Sequence, residues 1–341
     1  MNGVADYIYA APSVTAAPIL YEPANVAMVK FLLKTLSTNI RRALMSLYQP
    51  KWNIGIVQRP VTDFLASQGL GDVDWCGELP KGQYLADPMA LSRAGLTHVL
   101  CEKYDYESKG SICRITYDGT SWSDSPVPSI EIPTHASYPF LLERRGEVYC
   151  IPETFEAKQS TVFKAIEFPN AWENVGAILH GFSSVDTTPF QHDGGWWLFC
   201  TDDDDGPNYK LQLWYADDLL GPWSPHPANP VKIDVRSARP AGPPFVHDGT
   251  LYRPAQDCSK VYGGAITINK ISTLTMAKFE EEVIAIIQPD SRALYPNGIH
   301  TLCSAGSICV VDGQRNELKT RLMSRGIGKI AGVLSRVTSR T

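Results

Sequence analysis

The chain has 341 residues, 44% of them hydrophobic and 20% charged, and a formal net charge of −5. That make-up belongs to an ordinary folded chain with one large or two modest cores. It contains no run of about 18 apolar residues that would span a membrane. Its N-terminus lacks a basic segment followed by an apolar one, so no secretory signal is read.

The first predicted element is a helix over Ala24–Tyr48, with an apolar stripe of Val26, Val29, Phe31, Leu32, Leu36 and Ile40. Between Pro23 and Lys51 the charges are Lys30, Lys34, Arg41, Arg42 and Lys51, with no acid. A cassette follows five times. Ala86–Asp87–Pro88 leads to Gly95 and Glu102, Ser137–Tyr138–Pro139 to Gly146 and Glu153, and Val185–Asp186–Thr187 to Gly194 and Thr201. Pro240–Ala241–Gly242 leads to Gly249 and Gln256. A weaker copy runs from Asn297–Gly298–Ile299 to Gly306 and Gly313. Each central Gly separates two apolar runs, and Asp193–Gly194 and Asp248–Gly249 are dipeptides that favour tight hairpin turns. A hairpin repeat at roughly 50-residue spacing predicts an all-β, five-bladed propeller over residues 52–313. Residues 1–51 form an N-terminal extension and 314–341 a basic C-terminal helix. That last helix, Leu318–Val337, carries Lys319, Arg321, Arg325, Lys329 and Arg336 without an acid.

Two cationic amphipathic helices flanking an acidic middle suit an anionic membrane surface, at about 1 kcal/mol per base near the lipid. The alternative is packing on the propeller rim. The acidic middle argues against nucleic acid. The eight cysteines show no C-x-x-C pair and no metal spacing, so they read as buried free thiols in a reducing, cytoplasmic setting, with the inner membrane face a candidate location. Asp202–Asp203–Asp204–Asp205 lacks the alternation of a calcium loop and reads as a solvated turn. No metal or cofactor is expected.

In a propeller, equivalent repeat positions converge at one funnel. Asp87 and Asp186 share the leading position, and Glu102 and Glu153 the trailing one. Paired carboxylates with separated pKa values are what glycosyl transfer needs. Arg239 and Arg253, at the two ends of the blade-four cassette, are suited to capture an anion. His300 lies near the fifth lead, and Gln256 and Asp257 near the fourth trailing end. Tyr138, Trp196, Trp197 and Tyr295 are candidate aromatic faces for a sugar.

These strings carry a resemblance. Ala86–Asp87–Pro88, Ser137–Tyr138–Pro139–Phe140 with Pro152–Glu153–Thr154, Val185–Asp186–Thr187, Ser237–Ala238–Arg239–Pro240–Ala241–Gly242, Leu220–Gly221–Pro222–Trp223–Ser224–Pro225–His226–Pro227 and Arg253–Pro254–Ala255–Gln256–Asp257–Cys258 resemble one known domain. It is the N-terminal domain of plant glucosamine inositolphosphorylceramide transferases and its stand-alone bacterial relatives. That domain is in turn similar to the five-bladed propellers of arabinanase/xylosidase and levansucrase/invertase glycoside hydrolases. The resemblance implies that Asp87 is base or nucleophile and that Asp186 tunes pKa or stabilises the transition state. The Glu that arabinanase-type enzymes carry at the head of blade four is missing, because Ala241 stands there. Either Glu153 or Glu102 supplies the acid from another blade, or the chain does not hydrolyse glycosides in that way. In the plant proteins the resemblance places transferase activity in a separate glycosyltransferase domain.

The resulting expectation is an enzyme that cleaves or transfers a glycosyl unit on a surface polysaccharide or glycolipid intermediate. Asp87, Glu153 and Asp186 would be catalytic. Glu102, Tyr138, Arg239, Arg253, Gln256, Asp257 and His300 would bind substrate, the cations holding an anionic group. The alternatives are a non-catalytic glycan- or lipid-headgroup-binding propeller that assists a partner glycosyltransferase, and a phosphorolytic enzyme.

Overall fold

The computed structural model describes residues 23–319. Among the described residues its first unit, which ends at Tyr48, holds one helix, α1 (Asn25–Met45). From residue 320 on, the predicted C-terminal helix lies outside the described residues. None of the described helices is long and apolar enough to cross a membrane.

The second unit begins at Gln49 and is built of strands. A first pair, β1 (Tyr48–Val57) and β2 (Asp74–Trp75), precedes the repeats. Blade one is β3 (Gln83–Arg93), β4 (Leu96–Asp105), β5 (Ser111–Tyr117) and β6 (Val127–Ile130). Blade two is β7 (Ser137–Arg144), β8 (Glu147–Glu153), β9 (Ser160–Glu167) and β10 (Ala171–Ile178). Blade three is β11 (Ser184–His192), β12 (Gly195–Asp202), β13 (Lys210–Ala216) and β14 (Ser224–Pro225), with β15 (Lys232–Ile233) also pairing β13. Blade four is β16 (Phe245–His247), β17 (Thr250–Asp257), β18 (Ala265–Leu274) and β19 (Phe279–Ile287). The last strands, β20 (Leu302–Ala305) and β21 (Ile308–Leu318), take β1 and β2 as their outer partners in the order β2-β1-β21-β20. The protein is a five-bladed β-propeller, and its ring is closed by strands from both ends of the repeat region.

That closure moves both expected boundaries. Strand β1 begins before residue 52, and β21 runs five residues past 313, so residues 314–318 are strand and not the start of a basic helix. Gly55 in β1 shows why this strand fits. A Cβ there would lie 2.4 Å from Val73 and 2.8 Å from Trp75.

The hairpin turns follow the local chemistry. Ala94, Arg145, Asp193 and Asp248 all have φ near +50°, each followed by a glycine at φ between 71° and 81°. Two consecutive positive φ values make the two-residue turn whose twist matches the flanking strands. Asp202–Asp205 form a turn, where the Asp202 side chain accepts from the Asp204 N–H and Lys158 and Lys210 pair with Asp204 and Asp205.

The core lies between neighbouring blades. Leu85, Val99, Ile115, Phe140 and Cys150 share one cluster, Ile151, Val162, Trp196 and Leu198 another, and Trp197, Phe199, Leu213 and Leu251 a third. Trp196 and Trp197 point to opposite sides of one strand, and both pack between blades. Neither faces the funnel. All eight cysteines are free, and only Cys258 is not buried.

Arg253 also belongs to this scaffold. It is fully buried, with Nε 2.9 Å and Nη2 2.5 Å from the Glu281 carboxylate, and it donates to the carbonyls of Ser237 and Ala238. Burial works against ionised Glu281, but Arg253 and Lys232 hold it below the usual carboxylate range. Arg253→Ala leaves buried Glu281 to Lys232 alone and two carbonyls without their donor, so it is expected to lower unfolding free energy by about 3–5 kcal/mol. Urea titration checks this, and a loss under about 1 kcal/mol would contradict it.

Candidate functional site

Three of the five lead residues have a backbone that side chains rarely accept. Asp87, Tyr138 and Asp186 sit at φ 53°, 39° and 51°. Each lies in a bulge, where pairing slips between Ala86 and Met89, Ser137 and Phe140, and Val185 and Thr188. Such residues cost about 1–3 kcal/mol each and persist only where surroundings over-determine them. The surroundings here are carboxylates of the preceding blade. Asp87 N–H donates to Asp312 Oδ2 at 3.2 Å, Tyr138 N–H to Asp87 Oδ2 at 3.3 Å, and Asp186 N–H to Glu153 Oε2 at 2.8 Å. Blade four breaks the pattern. Gly242 has φ 132°, and a Cβ there would lie 2.1 Å from the Leu302 carbonyl oxygen. Ala241, at the head of this blade, is fully buried and carries no acid.

Of the three bulged lead residues, Asp87 lines a cavity of about 260 Å³ at the funnel. Its acids are Asp87, Glu102 and Glu153, all at least nine-tenths buried. Arg239, His300, His135 and Ser137 also line it. Its aromatic faces are Trp52, Tyr84, Tyr104, Tyr106 and Tyr262. A larger hollow of about 480 Å³, with Arg93, Lys164 and Phe168 in its wall, holds no buried acid.

The acids differ in environment. Glu153 accepts from Ser137 Oγ at 3.1 Å and from the Asp186 N–H. Burial and the nearby Asp186 charge push it up to about 8, against the pull of Arg239. Burial, opposed by His300 and aided by Asp186 and Asp312, pushes Asp87 up to about 6. Burial and the charges of Asp87 and Glu153 hold Glu102 well above its ordinary value. Its contact is His135, 3.6 Å away, and a Cβ on Gly110 would lie 2.2 Å from Glu102 Oε1. At neutral pH the cavity therefore holds an ionised Asp87 beside a protonated Glu153. One group accepts a proton while the other donates one.

Asp186 does not line the cavity. It is buried beneath the wall, where it takes Arg239 Nε at 2.6 Å and Nη2 at 3.4 Å, and Gln256 Nε2 at 2.9 Å. Arg239 also reaches Asn208 and lies 5.0 Å over the Tyr262 ring. His300 is sandwiched between acids, with Nδ1 2.5 Å from Asp312 and Nε2 3.3 Å from Asp87, and Trp52 stacks on its ring at 4.0 Å. Burial pulls the imidazole down, but Asp312 and Asp87 outweigh it and raise His300 above its usual range.

The structure thus brings Asp87, Glu102, Glu153, Arg239 and His300 together around one cavity, with Asp186 and Gln256 behind it. It corrects several expectations. Tyr138 is fully buried, its hydroxyl 2.9 Å from Thr188 Oγ1, and offers no face to a sugar. Tyr295 packs on Trp75 and hydrogen-bonds Glu78. Asp257 bonds the Ser259 N–H and lines a different hollow. Arg253 is structural, and Arg239 and His300 are already paired with acids, so the expected anion-holding trio is not assembled. The aromatic wall went unread. Tyr84 faces Tyr104 across a strand pair, their rings stacked at 4.9 Å, with Tyr106 edge-on. Trp52 arrives on the closing strand, and Asp312 precedes the Gly313 that marks the fifth repeat.

Asp87, His300 and Asp312 offer donor atoms within 4.8 Å of one another. Asp312 contacts one ring nitrogen and Asp87 the other, so a single ion would have to break one of these contacts. The set fits a row of ion-pair contacts through the ring better than a metal centre.

Residues 80–299 match the family model described as glucosamine inositolphosphorylceramide transferase 1, N-terminal. The chain belongs to this family. Glucosamine inositolphosphorylceramide transferase 1 of Oryza sativa subsp. japonica is 32% identical over 218 residues, 60% of this chain and 29% of that protein. The Arabidopsis thaliana protein of the same name is 32% identical over 206 residues, 58% of this chain and 27% of its own. The chain spans less than a third of the length of these curated relatives. Among solved structures, Zg3597, a family 117 glycoside hydrolase of Zobellia galactanivorans, aligns at TM-score 0.48 and 16% identity over 77% of this chain and 90% of its own. RS223-Beta-xylosidase aligns at 0.49 and 8%, over 68% and 92%. Membership in the family supports a carbohydrate-related role.

Proposed function

We propose that this propeller cleaves or transfers a glycosyl unit in its funnel cavity. Asp87 is the base or nucleophile, Glu153 the acid, and Asp186 the residue that fixes Arg239 at the cavity wall. The observation that carries this reading is that Asp87 and Glu153 line one aromatic-walled cavity with proton affinities pushed up to about 6 and about 8. Substrates related to the relatives' printed name, glycosyl inositol phosphates and their lipids, are the first to try.

The second reading is a non-catalytic glycan-binding propeller serving a partner glycosyltransferase. It is favoured by one fact, that the chain matches under a third of each curated relative. One experiment separates the two: sugar release or transfer from a panel of glycosyl inositol phosphates and aryl glycosides, with calorimetric binding alongside. Turnover by wild type and none by Asp87→Asn supports the enzyme. Binding with no turnover by wild type supports the module.

We also propose that α1 meets anionic lipid. Its only charges are basic, and Val26, Val29, Phe31, Leu32, Leu36 and Ile40 are all exposed. The protein should co-sediment with acidic vesicles at low salt and be released as salt rises. Equal binding to neutral vesicles would remove the electrostatic account.

A further inference from the structure

Asp312 is a fully buried acid on β21, outside the groups assigned above as acid and base. Its Oδ1 accepts the backbone N–H of His300 at 2.8 Å and of Thr301 at 3.0 Å. Its Oδ2 accepts the N–H of Asp87 at 3.2 Å and contacts His300 Nδ1 at 2.5 Å. The far ring nitrogen, Nε2, lies 3.3 Å from Asp87 Oδ1, which Thr301 Oγ1 also approaches at 3.3 Å. Trp52, stacked on the imidazole, keeps water from that ring face. One acid thus fixes the backbone bearing Asp87, the backbone bearing His300 and the imidazole between them.

We propose that Asp312 and His300 are positioning residues for Asp87: Asp312, in ion-pair contact with His300 Nδ1, favours the imidazolium, whose Nε2 edge lies 3.3 Å from Asp87 Oδ1 and keeps that carboxylate ionised and oriented in the cavity. Several other charges face the pair. Asp186 and Arg239 lie behind and beside Asp87, Glu102 and Glu153 share its cavity, and Tyr84 and Tyr262 border it. Of these acids, Glu153 is pushed up to about 8 and Glu102 is held well above its ordinary value, and Arg239 is committed to Asp186. Asp186 and Asp312 oppose ionisation of Asp87, so the imidazolium is the cation in contact with it. The chain is also an electrostatic alternation, with acid, cation and acid in line, in which each neighbour favours the next one's charge.

The inference rests on the proposed role of Asp87 only for its kinetic readout, because the titration of His300 is independent of turnover. The test follows the His Cε1–H resonances of the full chain by NMR from pH 5 to 10, with His300 assigned by its loss in His300→Gln. His300 is expected to titrate above the ordinary value of about 6.5, and Asp312→Asn to lower its midpoint by about one unit or more. In an active preparation, Asp312→Asn and His300→Gln should raise the acidic limb of kcat/KM by about one pH unit. Both should lower kcat more than they change KM. A wild-type midpoint at or below about 6.5 overturns the proposal even if Asp312→Asn does not fold. So does a folded Asp312→Asn protein with unchanged midpoint. A shifted midpoint in a protein without turnover keeps this pairing and removes only the enzymatic reading of Asp87.

Discussion

Asp87→Asn should lower kcat on a turned-over glycan by about 10²–10⁴-fold, the typical contribution of a positioned acid–base group. The amide keeps the side chain's volume and can still accept from the Tyr138 N–H, so the bulge and the cavity survive. The carboxylate charge and its proton affinity do not. Glycan affinity should change little, because the aromatic wall of Trp52, Tyr84 and Tyr104 is untouched. In wild type, kcat/KM should be bell-shaped. Its acidic limb falls near pH 6 as Asp87 takes up a proton, and its alkaline limb near pH 8 as Glu153 loses one. The two groups interact, so these limbs belong to the pair. Glu153→Gln should remove the alkaline limb together with most of the rate. A profile flat from pH 5 to 9, or full activity in Asp87→Asn, would falsify the assignment.

The ring and most of its acids were legible because a propeller turns sequence periodicity directly into spatial convergence. Five repeats with a glycine turn at constant offset place Asp87 and Asp186, or Glu102 and Glu153, at equivalent heights whatever the detail of the blades. What periodicity cannot carry is the departure from it. The fifth copy is irregular: its lead region, Gly298–Thr301, inserts against Gly263 and pairs with Gln314, so Asp312 reaches the funnel one residue away from the repeat position. Trp52 was hidden for a different reason. A strand that completes the last blade from the far end of the repeat region carries no copy of the cassette, so its first residues looked like extension. Arg253 misled because a buried arginine and a ligand-binding one share the same local neighbours. Only Glu281, on another strand of the same blade, tells them apart.

Glu153→Gln should make the protein more stable in alkaline solution while disabling it. In the folded state Glu153 holds its proton up to about pH 8, whereas in the unfolded chain it ionises near its ordinary 4.5. Between these values the native state binds more protons than the unfolded one, so stability falls as pH rises. Glu153's contribution is complete below about pH 4.5, declines through neutrality and is gone above about 8. Asp87 adds a decline of the same sign between 3.8 and about 6. Glutamine does not titrate. It keeps an oxygen for the Asp186 N–H and an amide that can donate to Ser137 Oγ, so the bulge of blade three loses no partner. The difference between variant and wild type should therefore be smallest near pH 4.5 and widen to a few kcal/mol by about pH 8. Beyond that pH it should run level. Urea titrations at half-unit steps from pH 4.5 to 9 measure this directly. A constant difference across the range would mean that Glu153 is ionised throughout, and then it cannot serve as the acid.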